Sequence, residues 1–85
     1  IYVAPADVWV DPSRPVPRAL VTHGHADHAR GGHGQTIATP ATLAIMELRY
    51  QTREGAVPVE YGETLSLGGD VSATFLPAGH VLGSA

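Results

Sequence analysis

Ala19-Leu20-Val21-Thr22-His23-Gly24-His25-Ala26-Asp27-His28 is the stretch that organises the rest of this 85-residue chain. Its first four residues form an apolar run of the kind that fits a strand buried on both faces. That run delivers the chain into three of its five histidines, all within six residues. Residues two apart on an extended chain point to the same side, so His23 and His25 can converge on one metal ion. Asp27 and His28, on the following turn, can serve a neighbouring ion. Gly24, between the first two histidines, is expected to allow a sharp change of direction. Imidazole and carboxylate without thiolate suit zinc, or another divalent first-row metal such as manganese, in a site that keeps positions open for water. An open site of that kind is catalytic rather than structural.

Working outward, Val8-Trp9-Val10 reads as a strand ending at Asp11, because the prolines at 12, 15 and 17 forbid its continuation as helix or central strand. Asp11, at a strand end just ahead of the cluster, fits a carboxylate that fixes an imidazole or the metal-binding loop. Ala26 to Arg30 reads as a short helix stopped by Gly31-Gly32, and Thr36-Ile37-Ala38 as a third strand. Thr39-Pro40 is an N-cap and first-turn pair. It opens a helix running to Gln51 or a little beyond, with Leu43, Met46 and Tyr50 on one core-facing side. His33 reads as a loop residue, Trp9 as packing, and Arg14, Arg18 and Arg30 as solvated surface.

After Gly55 the period changes to two: Val57 through Tyr61, Thr64 through Leu67 and Val71 through Leu76 read as strands, punctuated by Gly62 and Gly68-Gly69. The last runs into Pro77-Ala78-Gly79-His80, where an apolar strand, a small residue and a histidine repeat the grammar of the first cluster and offer His80 as a third ligand beside His23 and His25. The order of elements predicts an α+β fold in which a sheet carries helices on one face and needs a second sheet to cover the other.

Five basic residues against eight acidic ones leave a net charge of −3, which argues against a strongly basic nucleic-acid grip within these residues. With 44% hydrophobic and 15% charged residues, the composition is globular rather than disordered. No apolar run approaches the roughly 20 residues that span a bilayer, and no leader pattern is visible. The expectation is no membrane association and a cytoplasmic location. The absence of cysteine excludes disulfides, thiolate metal sites and thiol nucleophiles. The chain begins inside an apolar stretch and stops at Val81-Leu82-Gly83-Ser84-Ala85 without a polar cap. Residues 1–85 are therefore expected to be part of one larger domain.

His23-x-His25-x-Asp27-His28 after an apolar strand, with Asp11 before it and Gly79-His80 after it, resembles the metallo-β-lactamase fold superfamily. Within that superfamily, Ala78-Gly79-His80-Val81-Leu82-Gly83-Ser84-Ala85 is similar to the β-CASP nucleases. Val10-Asp11-Pro12 through Arg14-Pro15-Val16, then Ala19 to His23, is similar to the bacterial ligase-associated DNA-damage-response exonucleases, also described as mRNA 3′-end-processing-factor-like proteins. The resemblance implies that residues 1–85 are the N-terminal portion of an αββα sandwich, with the C-terminal half and the β-CASP insertion outside them. It places His23, His25 and His80 on a first zinc ion and Asp27 and His28 on a second, with Asp11 as the supporting carboxylate. It implies a two-metal exonuclease acting on DNA, or on RNA, with Asp27 orienting the attacking hydroxide. It also implies DNA ligase or helicase repair partners. Two further family ligands, an Asp and a His, belong downstream. A thioester or lactam hydrolase with the same ligands, and a metal-binding fragment without turnover of its own, remain as alternatives.

Overall fold

The computed structural model describes residues 1–25, 29–51, 54–78 and 85. Its elements are β1 (Tyr2–Val3), a single 3-10 turn (Ala4–Ala6), β2 (Val8–Val10), β3 (Arg18–Leu20), β4 (Gln35–Ala38), α1 (Pro40–Tyr50), β5 (Ala56–Pro58), β6 (Thr64–Gly68) and β7 (Val71–Thr74). Strands β1 to β5 form one sheet in chain order. In it β1 is antiparallel to β2, and β2 to β5 run parallel. Strands β6 and β7 pair antiparallel in a second sheet.

The alternation of side chains along the central strands explains the layering. Leu20 and Ile37 join Val8, Val59, Leu67 and Phe75 in one buried cluster. Their immediate neighbours Val21 and Ala38 point the other way, into a cluster with Ala29, Leu43 and Met46. Successive residues of a strand face opposite sides, so the β6–β7 hairpin covers one face of the main sheet and α1 the other. The α+β expectation, a sheet with a helix on one side and a second sheet on the other, is what the described residues form.

Helix α1 begins where its cap chemistry says it begins. Thr39 is extended, with φ −65° and ψ 154°, and its Oγ1 accepts the Thr42 N–H at 3.3 Å. Pro40 fills the first turn, whose N–H groups have no helical partner. The helix stops at Tyr50 because Gln51 turns left-handed at φ 57°, its N–H bonded to the Glu47 carbonyl at 2.6 Å.

Several expectations are corrected. The expected strand from Val57 to Tyr61 is only β5, Ala56–Pro58, and it pairs with β4. Tyr61 makes an isolated bridge to Phe75. Tyr50 is not core: it stands at the rim, 39% exposed, and its hydroxyl donates to the Ala29 carbonyl at 2.9 Å. The expected helix at 26–30 falls largely on Ala26–His28, which lie outside the described residues, and Ala29 and Arg30 belong to no helix. Strand β1 and the 3-10 turn had no signal beyond a short apolar start. Among the described residues no helix is long and apolar enough to cross a membrane.

Candidate metal centre

Asp11 and His23 both lie just beyond the carboxyl ends of adjacent parallel strands, β2 and β3. Crevices at the carboxyl ends of parallel strands are where open sheets place ligands, because loops diverge there while the strands hold their starting points fixed. Asp11 leaves β2 in the left-handed region at φ 47°, a conformation that Asp tolerates better than most residues. Its own N–H is bonded to the Leu20 carbonyl at 2.8 Å, so β3 holds the turn.

From this turn the Asp11 carboxylate reaches across to β3's extension. Oδ1 accepts the Thr22 N–H at 2.9 Å, and Oδ2 accepts the Thr22 hydroxyl at 2.7 Å. The same hydroxyl oxygen lies 3.0 Å from His23 Nδ1. A hydroxyl has one hydrogen, and here the carboxylate takes it, so toward His23 the Thr22 oxygen acts as acceptor. His23 Nδ1 is therefore the protonated nitrogen and Nε2 carries the lone pair that a metal needs. Asp11 thus acts on the imidazole through Thr22, a residue whose chemical part was not read from the sequence. The only sequence signal for it is a hydroxyl residue directly before the first histidine.

The His23 and His25 ring centres are 5.2 Å apart at an interplanar angle of 81°. With metal–nitrogen bonds of about 2.0–2.1 Å, each ring centre stands about 3.2 Å from an ion, and tetrahedral directions then separate two such centres by about 5 Å. The donor set and the spacing of this pair fit zinc. His25 is exposed and His23 half-buried, so the pair faces solvent rather than the core.

Gly24 is there for a reason other than the expected one. Its φ is not in the left-handed region. A Cβ at Gly24 would instead stand 3.0 Å from two side-chain carbons of Ile45 on α1, so the histidine loop lies directly against the helix. The absence of a side chain at 24 lets α1 serve as the floor of the site.

Of the remaining residues expected at the site, Asp27, His28 and His80 lie outside the described residues. Among the described residues no group of three or more His, Cys, Asp or Glu gathers in a metal-holding arrangement. The N–H of Ala85, a few residues beyond His80, donates to the Thr22 carbonyl at 2.7 Å and so brings the chain back beside the histidine pair. His33, read as a loop residue, does lie in a loop, but it is buried at 8% exposure and accepts the Val16 N–H.

Fold and site together define an α+β chain with a histidine pair, supported by a carboxylate through a hydroxyl, at the carboxyl edge of a mainly parallel sheet. Over all of its 85 residues the chain is 32% identical to a protein of Opitutus terrae described as a probable DNA ligase, and it spans 8% of that protein's length. No protein-family model matches the chain, and no solved structure does.

Proposed function

We propose that these residues form the metal-binding part of a zinc-dependent phosphodiesterase that acts on DNA ends. The observation that carries the reading is the His23–His25 pair, at a separation suited to one ion, with the tautomer of His23 set by Asp11 through Thr22. In this reading His23, His25 and His80 hold one ion, and Asp27 and His28 a second, as the resemblance to β-CASP nucleases implies. The return of the chain to Thr22 at Ala85 supports a place for His80 near the pair. Bound there, divalent ions acidify water and neutralise charge on phosphate oxygens. The chain's own residues then have separate tasks. Asp11 keeps the lone pair of His23 on Nε2, while the Asp27 carboxylate orients a water or takes its proton. The net charge of −3 leaves phosphate charge to be met by bound cations or by residues elsewhere. DNA as the substrate is supported by the likeness to a probable DNA ligase. The matched stretch is a small part of that protein, so ligation itself is not assigned to these residues.

The test is incubation of the full-length protein that carries this stretch with end-labelled single-stranded and double-stranded DNA, and with RNA, in zinc or manganese, with and without chelator. Chelator-sensitive shortening of DNA is expected. Preference for RNA would move the substrate to RNA, and no cleavage of any nucleic acid alongside turnover of a thioester or lactam would overturn the nuclease reading.

A further inference from the structure

The loop that begins at Asp11 is fastened at its far end by a histidine outside the candidate metal centre. His33, between Gly32 and Gly34 ahead of β4, is 8% exposed. Its Nδ1 accepts the Val16 N–H at 3.1 Å. The Val16 carbonyl accepts the Gly34 N–H at 3.0 Å, and the Pro17 carbonyl accepts the Gln35 N–H at 2.8 Å. Consecutive residues 33 and 34 therefore grip Val16 at both its N–H and its C=O. A backbone N–H pointing at Nδ1 needs the lone pair of that nitrogen, so the ring is neutral with its proton on Nε2. Nε2 is buried and has no hydrogen-bond partner among the described residues, so the Val16 contact is the ring's hydrogen bond there. The same tautomer excludes Nε2 as a metal ligand, because its lone pair is used by the proton.

We propose that His33 is an acid-sensitive latch: protonation at Nδ1 turns the acceptor of the Val16 N–H into a second donor, and the loop from Pro12 to Pro17 is released from the turn at residues 31–34. Burial holds the ring's pKa below its ordinary value, against a smaller opposing pull from the Arg30 carbonyl. Among the described residues, the titratable groups lining the same cavities are Tyr50 of α1 and Glu54 of the turn before β5. The Tyr50 hydroxyl is engaged with Ala29, and a Glu54 carboxylate would favour the charged ring, so burial outweighs it. The segment packed against the turn, Pro15 to Pro17, carries no titratable side chain, and Asp11 and Arg14 line a separate cavity with the earlier part of the loop. With the folded pKa below the unfolded value of about 6.5, the unfolded or released state binds more protons, so the latch holds above that pH and weakens as pH falls through it.

The experiment is selectively labelled NMR on the full-length protein that carries this stretch, from about pH 7.5 to about pH 5, following the His33 ring and the exchange of the Val16 amide relative to its intrinsic rate. As pH falls below about 6.5, Val16 exchange is expected to rise by up to about tenfold per pH unit, with Gly34 and Gln35 following, and to level off where the latched ring itself titrates. His33→Asn, whose Oδ1 takes the place of Nδ1 without titrating, is expected to show a flat Val16 profile. A Val16 amide that stays protected while the ring protonates, a ring that stays neutral to about pH 5, or the same pH profile in His33→Asn overturns the latch. If His33→Asn does not fold, the comparison of ring titration with Val16 exchange in the unaltered chain decides alone.

Discussion

Thr22 has a single hydroxyl hydrogen, and the direction in which it points decides which nitrogen of His23 can bind a metal. Thr22→Val keeps the shape of the side chain but leaves the Asp11 carboxylate and His23 Nδ1 without their shared oxygen. Loss of such an outer partner typically costs about 10- to 100-fold in metal affinity. A zinc titration of Thr22→Val is expected to show a drop of that order with an unchanged circular dichroism spectrum, and Thr22→Ser is expected to restore most of the affinity. An unaltered affinity in Thr22→Val would remove the relay from the account. The ligands themselves are tested by metal analysis of the full-length protein. His23→Ala and His25→Ala are expected to lower bound zinc, whereas His33→Asn, with its ring committed to Val16, leaves it unchanged. Equal loss in all three variants would make the ligand assignment wrong.

At the scale of elements, α1 has two duties, closing one face of the sheet and supporting the histidine loop. Its N-cap is buried, with Thr39 Oγ1 bonded to Thr42 N and Oγ1. Thr39→Ala is expected to cost about 1 kcal/mol in urea unfolding, the ordinary value for a lost cap. The contact between loop and helix gives a sharper test. Gly24→Ala forces a methyl group against Ile45 and is expected to cost about 1–3 kcal/mol, as overpacking does. Ile45→Ala, introduced with it, removes both carbons at 3.0 Å and makes room. A double-mutant cycle should therefore show the pair to be less destabilising than the sum of its parts, while strict additivity would mean that the loop does not rest on α1.

At the scale of the fold, the second sheet cannot be spared, because it supplies one side of the larger buried cluster. Phe75 and Leu67 bring the hairpin side of the buried cluster to Leu20 and Ile37. Phe75→Ala is expected to cost about 3–5 kcal/mol. That is comparable with the whole stability of a small domain, roughly 5 kcal/mol at the low end. Thermal unfolding monitored by circular dichroism should show this variant with a strongly lowered midpoint and up to about half of it unfolded at room temperature, whereas truncation of exposed Leu48 to Ala, on the outer face of α1, should leave the midpoint nearly unchanged.

Much of the local structure was legible in the residues. The run from Ala19 to Thr22 reads as a buried strand, Thr39-Pro40 as a helix start, and the spacing of His23 and His25 as two imidazoles on one side, because periodicity and capping depend only on neighbours a few positions apart. The place of Asp11 at a strand end was legible for the same reason. Partners were not. Alternation marked residues near 57 as extended, but β5 pairs with β4, across the whole length of α1, because pairing is settled by which segments can share a core and not by the strand's own pattern. Thr22 as the link between Asp11 and His23, Gly24 as the seat of Ile45, and His33 as a buried clasp on Val16 likewise each join segments separated along the chain. Sequence by itself determined the start of α1 and most of the extended segments, and it singled out the candidate ligands. Tertiary structure alone decided which of those side chains meet, since a hydrogen bond or a buried contact exists only once distant backbone has been brought within a few ångströms.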